Sequence, residues 1–455
     1  MPHAPTTPPT PPRHRGRRWA LGVGLALLLL LGGAGLWLAS RLPSGEELAR
    51  QAEQEFERRF GIGLQIGQAH WQWRPGPELV FADVRTRQSA PITLARITAR
   101  PQLRPLLDRQ IALDEVTVHD VHLPSASVRA FRGREARADD PAPGAHWRPA
   151  ALPLARFVFS QLRWVDRRGI ELAYAGRIDF DPGWLPRTAV LQRPGASPEA
   201  QLRLTREASA EAAGPVTHAW QVQADVGGGS WQGRAQLREP AQQDGPMRLS
   251  ADLQLRDVDV AQLVSTFGRK PALQGRASGR TTLQAEGHRP GELLRSLQTR
   301  TDFRVAPATL LRFDLARTVR TLGQERAGQT PLDELSGSLQ TQATERGVRL
   351  RYRDLHARSG VLTGQGQLQV FNRQLQGRLA IDLVDGVVGM PLQLGGTLDA
   401  PQLGFSGGAL AGAAAGTAVS PGLGTALGAR LGQKLEDWFG DEEEKADAPA
   451  PRARP

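Results

Sequence analysis

The chain contains no cysteine. Disulfides, thiol nucleophiles and cysteine-ligated metal sites are thereby excluded, while the compartment stays open because many exported bacterial proteins also lack Cys. Lysine is nearly absent as well. Lys270, Lys434 and Lys445 are the only lysines among 57 basic residues, so arginine carries the net charge of +11. These arginines are spread along the polar sides of alternating segments rather than clustered, which argues against nucleic acid as a partner. Aromatic residues are scarce at 5%, whereas 50 glycines and 34 prolines punctuate the chain. That balance suits many strands separated by turns better than a helical enzyme. With 455 residues the chain can hold two or three domains and bury a sizeable core.

Signatures of chemistry are equally sparse. Neither G-x-x-x-x-G-K-[ST] nor G-x-G-x-x-G occurs. Gly404-Phe405-Ser406-Gly407-Gly408 fits the pattern G-x-S-x-G, but no histidine follows it, contrary to the Ser, Asp, His order of that fold. His119-Asp120-Val121-His122 has the look of a ligand cluster. On a strand, residues three apart point to opposite faces, so both imidazoles could not reach one metal. No carboxylate pair stands out as a glycosidase acid and base. The expectation is a protein that is not an enzyme, with no cofactor, metal site or catalytic residue.

What is present begins with an apolar run. Arg13, Arg15, Arg17 and Arg18 precede 19–38, twenty residues without a charge. At 1.5 Å per residue such a helix spans about 30 Å, the hydrocarbon thickness of a bilayer. Trp19 and Trp37 sit at interfacial positions, and Arg41, Glu46 and Glu47 follow, which puts the N-terminus in the cytoplasm. The run is long for a signal peptide and ends in a poor cleavage site, so a retained single-pass anchor is expected. Ser44 and Glu47 form a capping box for a helix with Leu48, Ala52, Phe56 and Phe60 on one side.

From Gly61 onward the pattern becomes strands, with short helices expected at 257–267, 291–297 and 313–322. The organisation expected is a disordered cytoplasmic tail over 1–18, an anchor over 19–38, an amphipathic helix over 44–60 and β regions over 61–130, 151–256 and 257–400. A linker or insertion occupies 131–150. A Gly/Ala-rich helical segment follows over 401–440, with two glycine-zipper halves around Ser420-Pro421-Gly422, and a disordered tail over 441–455.

The clearest alternation lies between Leu335 and Leu398. Five runs recur at 13–17-residue intervals: Leu335-Gly337-Leu339, Val348-Leu350-Tyr352, Leu362-Gly364-Gly366-Leu368-Val370, Leu375-Gly377-Leu379-Ile381-Leu383 and Leu392-Leu394-Gly396-Leu398. Polar residues fill the positions between, as in an antiparallel meander with one apolar and one wet face. Such strands either close on themselves as a sandwich or barrel, or curl into a trough open to an apolar guest.

Several stretches resemble the AsmA-like family of bacterial inner-membrane proteins. In the N-terminal half they are Phe60-Gly61-Ile62-Gly63-Leu64-Gln65-Ile66-Gly67, Pro91-Ile92-Thr93-Leu94, Leu103-Arg104-Pro105-Leu106-Leu107 and Val116-Thr117-Val118-His119-Asp120-Val121-His122-Leu123-Pro124. In the C-terminal half they are Leu332-Asp333-Glu334-Leu335-Ser336-Gly337, Gly366-Gln367-Leu368 and Met390-Pro391-Leu392-Gln393-Leu394-Gly395-Gly396-Thr397-Leu398. The resemblance implies a mainly β fold: a transmembrane helix, an elongated, curled antiparallel sheet (a β-taco groove) with a few short helices, and a C-terminal helical hairpin. It further implies a periplasmic role in outer-membrane biogenesis, with phospholipid and the inner membrane as partners and lipid transfer as the activity. The groove lining expected is Leu335, Leu339, Val348, Leu350, Leu362, Leu368, Val370, Leu379, Ile381, Leu383, Leu392 and Leu394. The glycines on that side are expected to leave room for a guest or to permit sharp curvature. The alternative is a non-catalytic scaffold assisting outer-membrane protein assembly.

Overall fold

In the computed structural model of the chain, residues 45–405 are described, apart from 73–75, 103, 106–109, 132–147, 183, 209–215, 241–244, 289, 322–323, 345–346, 384–389 and 399. The anchor at 19–38, the Ser44 cap and the Gly/Ala-rich segment from 406 onward lie outside the described residues. The protein is mainly β, with a large antiparallel sheet that is not closed. By contact it divides into two units. One holds the described residues up to Leu253 with Thr266–Gly268 and Gln284–Arg295; the other holds Gln254–Ser265, Arg269–Leu283 and the chain from Ser296.

The first unit opens with helix α1 (Gly45–Phe60), whose acidic first turn and basic last turn suit the helix dipole. Strands β1 (Leu64–Gln72), β2 (Glu78–Thr86), β3 (Thr93–Pro101) and β4 (Gln110–Pro124) then pair in sequence, all antiparallel. Next come α2 (Ser125–Ala130) and β5 (Arg148–Val165). Here the structure departs from the expected meander, because β4 and β5 are parallel. A parallel pair needs a crossover of a dozen or more residues, and the stretch between β4 and β5 supplies it. Strands β6 (Glu171–Asp181), β7 (Leu185–Arg193), β8 (Ala200–Arg206), β9 (Thr217–Val226) and β10 (Gly229–Arg238) return to antiparallel pairing. β11 (Met247–Asp259) runs on, and its residues up to Leu253 belong to this unit. A Cβ at Gly233 would lie 2.0 Å from the Asp252 carbonyl oxygen, so this close approach of β10 to β11 requires glycine.

Packing in this unit is uneven. α1 packs on β1, burying Ala49, Ala52, Phe56 and Phe60. Phe56 and Phe60 have ring centroids 4.9 Å apart, and Phe131 meets them edge-on at 6.0 and 5.8 Å. The Glu53 carboxylate accepts from the backbone N–H of Ile66, 2.6 Å away, tying helix to strand. Beneath the helix lie Leu79, Phe81, Ile97, Val116 and Leu154, all buried.

The second unit contains α3 (Val260–Thr266) as far as Ser265, the first part of β12 (Leu273–Gly287), and β13 (Gln298–Leu310). Between β12 and β13 in the chain lies α4 (Pro290–Ser296), mostly in the first unit. Helix α5 (Leu315–Arg320) and β14 (Thr330–Leu332) precede the meander β15 (Glu334–Thr344), β16 (Gly347–Arg358), β17 (Leu362–Phe371), β18 (Gln374–Leu383), β19 (Met390–Gly396) and β20 (Pro401–Gly404). β13 pairs with both β14 and β15, and from β15 each strand pairs with the next, all antiparallel. The five alternating runs therefore become five consecutive strands. α5 is capped by Asp314, whose carboxylate accepts from Arg317 N–H at 2.9 Å, and it packs on β18.

Strand parity is interrupted at one level across β1–β5. Gly67, Asp83, Ala95, Asp120 and Gln161 lie opposite one another, and the ladder skips each of them. Asp83, Asp120 and Gln161 have φ of 54°, 51° and 52°. Asp257 in β11 and Asp354 in β16 repeat the conformation at 53° and 51°. The left-handed region is costly for most side chains but tolerated by Asp. A Cβ at Gly67 would come within 2.9 Å of the Asp83 Cβ, so glycine accommodates the step in β1. Each of these aspartate steps restores the apolar side at the very next residue, as at Val84, Val121 and Val258.

Candidate functional site

Direct cross-strand partners share a face, so the register fixes which side chains lie together. In the second unit, Leu339 faces Tyr352, Tyr352 faces Leu368, Leu368 faces Gly377 and Gly377 faces Leu394. One row further along, Gly366, Leu379 and Leu392 are opposed, as are Gly364 and Ile381. All of these belong to one apolar side. The opposite side presents Gln340, Arg351, Gln367, Arg378 and Gln393 at the intervening positions.

The twelve expected lining residues do not have one environment. Leu362, Val370, Ile381, Leu383 and Leu392 are buried, Leu362 completely. All but Val370 sit toward the end of the sheet where Leu315 and Val319 of α5 are also buried. That end is a packed core. Leu335, Leu339, Leu350, Leu368, Leu379 and Leu394 are half-buried, and Val348 is 57% exposed. The half-buried residues form an apolar band with Phe303 and Tyr352, whose rings meet edge-on at 6.5 Å. Burial holds the Tyr352 phenol above its usual pKa.

The glycines of this side do not leave room for a guest. A Cβ at Gly364 would meet Ile381 Cδ1 at 2.8 Å, one at Gly366 would meet Leu379 Cδ2 at 2.6 Å, and one at Gly337 would meet Leu355 Cδ2 at 2.9 Å. Their space is filled by the apolar side chain of the next strand, folded across the backbone. At these three positions the glycines serve close packing rather than occupancy.

A second apolar band, absent from the sequence-derived lining, lies in the first unit on β6–β10. Ile178 faces Ala189, Leu191 faces Leu202, Leu204 faces Val222, and Ala224 faces Trp231. Ile178, Leu191, Leu202, Leu204, Val222, Trp231 and Leu237 are all half-buried. Its signal was available in the alternation Leu202-Arg203-Leu204-Thr205 and Trp220-Gln221-Val222-Gln223-Ala224.

The two ends of this band differ in charge. At one end Arg206 pairs with Asp181 at 3.0 Å and donates to His218 Nδ1 at 2.8 Å, while His218 Nε2 lies 3.0 Å from Glu239. A guanidinium can only donate, so Nδ1 accepts and Nε2–H faces the Glu239 carboxylate. The buried imidazole is thus held in one tautomer with both nitrogens satisfied. At the other end stands Arg193, whose Nε and Nη1 are buried without a hydrogen-bond partner. Its guanidinium carbon lies 6.0 Å from the Phe267 ring centroid. Burial pushes the Tyr174 phenol up in pKa, and the nearby Arg193 charge partly offsets this.

His119 and His122 lie on the same side of β4, not on opposite faces as period-2 counting expects. The step at Asp120 places Val118 and Val121 on the buried side, so both histidines share the opposite side. His119 Nδ1 is 2.6 Å from Ser160 Oγ, and Asp120 pairs with Arg163 at 2.6 Å. Among the described residues no group of three or more His, Asp or Glu is placed to hold a metal ion. Nor is any helix among them long and apolar enough to cross a membrane. The G-x-S-x-G stretch runs outside the described residues at Ser406. Comparison with family models, curated proteins and solved structures found no match.

Proposed function

We propose that the protein is a single-pass inner-membrane protein with its N-terminus in the cytoplasm and its bulk in the periplasm. Its curled sheet forms an apolar groove that holds phospholipid acyl chains and helps move lipid toward the outer membrane, in support of outer-membrane biogenesis. The charge-free run at 19–38 and the stretches that resemble AsmA-like proteins support this reading. The observation that carries it is the half-buried apolar band. In each unit the apolar side of the sheet is sealed by a helix over one part, by α1 and by α5, and left partly open over another.

The chemistry fits a lipid chain. Apolar surface withdrawn from water contributes about 25 cal/mol per Å² without directional bonds, so a lining of Leu, Val, Tyr and Phe is sufficient for an acyl guest. Along the apolar lining the acyl chains are held by area rather than by directional bonds, and chains held in this way can slide.

Photo-crosslinking residues placed in the full chain test the reading. Probes at Leu350, Leu368 and Leu379, and at Leu202 and Leu204, should capture phospholipid identified by mass spectrometry. Capture confined to Gln367, Arg351 and Arg378 on the opposite side, or recovery of outer-membrane assembly proteins without lipid, would overturn it in favour of a scaffold.

A further inference from the structure

Arginine occurs twice on the apolar side of β7 and β8, and the two are treated differently. Arg206 at one end is neutralised by Asp181 and bonded to His218. Arg193, at the last position of β7, has two guanidinium nitrogens withdrawn from solvent and no carboxylate or carbonyl accepting from them. A buried charged donor without an acceptor is costly, by several-fold more than an exposed one, and native proteins seldom retain such a group without a ligand or a switch to use it.

The surroundings of Arg193 define what would satisfy it. Its strand partner is Ala200, whose methyl group offers the guanidinium no acceptor. Tyr174 lies on the neighbouring strand, and Phe267 provides a ring face 6.0 Å from the guanidinium carbon. Gly268, at φ 65°, lets the chain after Phe267 turn close above Ile170 and Leu172. The Phe267 face suits the cation itself, and the planar fork of donors suits an oxyanion of tetrahedral or planar shape, above all phosphate. From Arg193 the apolar side continues through Leu191, Leu202 and Leu204 before the neutralised Arg206 closes it. Ala200 to Arg206 is seven residues of strand, and its six steps span about 20 Å, enough for the ~15 Å depth of one leaflet.

We propose that Arg193 is the headgroup site of this groove: its guanidinium binds the phosphate oxyanion of a phospholipid whose acyl chains lie along Leu191, Leu202 and Leu204. This rests on the lipid reading above and adds a polarity to it. The head is fixed at the β7–β8 turn, and the chain runs toward Arg206 and His218.

The test uses the full-length protein, delipidated in detergent and titrated with phosphatidylglycerol, with diacylglycerol of the same chains and with inorganic phosphate. Wild type should hold phosphatidylglycerol about tenfold more tightly than diacylglycerol, the worth of one charge-assisted hydrogen bond. Arg193→Gln should erase that preference and leave diacylglycerol binding unchanged. Arg193→Met should do the same and raise the melting temperature of the lipid-free protein, since it removes a guanidinium with two buried, unbonded nitrogens. A purely structural arginine would give the opposite shift. Equal binding of both lipids by wild type, unchanged in the variants, overturns the headgroup site and leaves the groove standing. Phosphate bound as tightly as phosphatidylglycerol makes it a free-anion site and overturns the lipid assignment. Binding of neither lipid overturns the groove itself.

Discussion

Val118 and Val121 lie three residues apart in β4 and face the same side of the sheet, because Asp120 between them takes a φ of 51°. The same relation joins Phe81 to Val84 across Asp83, Leu255 to Val258 across Asp257, and Tyr352 to Leu355 across Asp354. In each case the local sequence is apolar, any, Asp, aliphatic: Phe-Ala-Asp-Val, Val-His-Asp-Val, Leu-Arg-Asp-Val and Tyr-Arg-Asp-Leu. The aspartate is the residue that makes the left-handed step affordable, since its short polar side chain tolerates that region.

Substitution at Asp257 separates backbone from charge. The pair Asp257–Arg276, at 2.8 Å, is well exposed on both sides, so its loss should matter little. Asp257→Asn and Asp257→Gly should stay within ~0.5 kcal/mol of wild type in urea denaturation. Asp257→Val, a β-branched residue forced to positive φ, should cost about 1–2 kcal/mol. Equal effects of Asn and Val would show that the step does not govern stability.

The sealed and open parts of the second unit should respond differently to truncation. Leu362→Ala removes a wholly buried side chain and should cost about 2–5 kcal/mol. Val348→Ser, at a position 57% exposed, should fall within about 0.5 kcal/mol. Leu368→Ala should lie between them without lipid. Thermal unfolding of the three variants measures the order directly.

Acid stability should depend on Asp179. Burial alone would raise its pKa, but hydrogen bonds from Arg156, Thr188 and Arg177 outweigh that and hold the carboxyl below its usual value. Arg156 Nε is 2.7 Å and Thr188 Oγ1 2.8 Å from it. A folded pKa below the unfolded one gives stability that is present above about pH 4 and is lost as pH falls through the folded value. Asp179→Asn should therefore lower stability at pH 7 and flatten the stability-against-pH curve below pH 4. A variant that kept the full acid slope would assign it to other carboxylates.

At the neutralised end of the first unit, Trp220 Nε1 donates to the Pro186 carbonyl at 2.7 Å. Trp220→Phe keeps most of the ring and should cost about 1 kcal/mol. Arg206→Ala should cost more, because Asp181 and His218 both lose a charged partner in a largely buried setting. Chemical denaturation of the two variants would reveal the order, and a larger loss from Trp220→Phe would contradict it.

The meander from β15 to β19 was legible because nothing interrupts Leu362-Thr363-Gly364-Gln365-Gly366-Gln367-Leu368. A side chain there is either in or out, and cross-strand register follows from the pattern. The three short helices were legible too, within a few residues at their ends. β7 was not, since Leu185-Pro186-Arg187-Thr188 has no alternation and a proline; its place is set by β6 and β8 on either side. The two histidines were misplaced because strict period-2 counting does not survive an Asp step. Which apolar residues are sealed could not be read at all. Leu362 and Leu368 have the same residue type and the same face, yet the first is wholly buried and the second half-buried.

The Asp step also bears on how such a sheet can change over time. Each is written into one tetrapeptide, and its steric demands fall on the residues immediately opposite, as Gly67 answers Asp83. A strand pair carrying its own step can be duplicated or deleted while its neighbours keep their register, much as in solenoid repeats. Strand number and strand parity are therefore heritable separately, so a lineage can lengthen or shorten this sheet while each strand keeps its own apolar side.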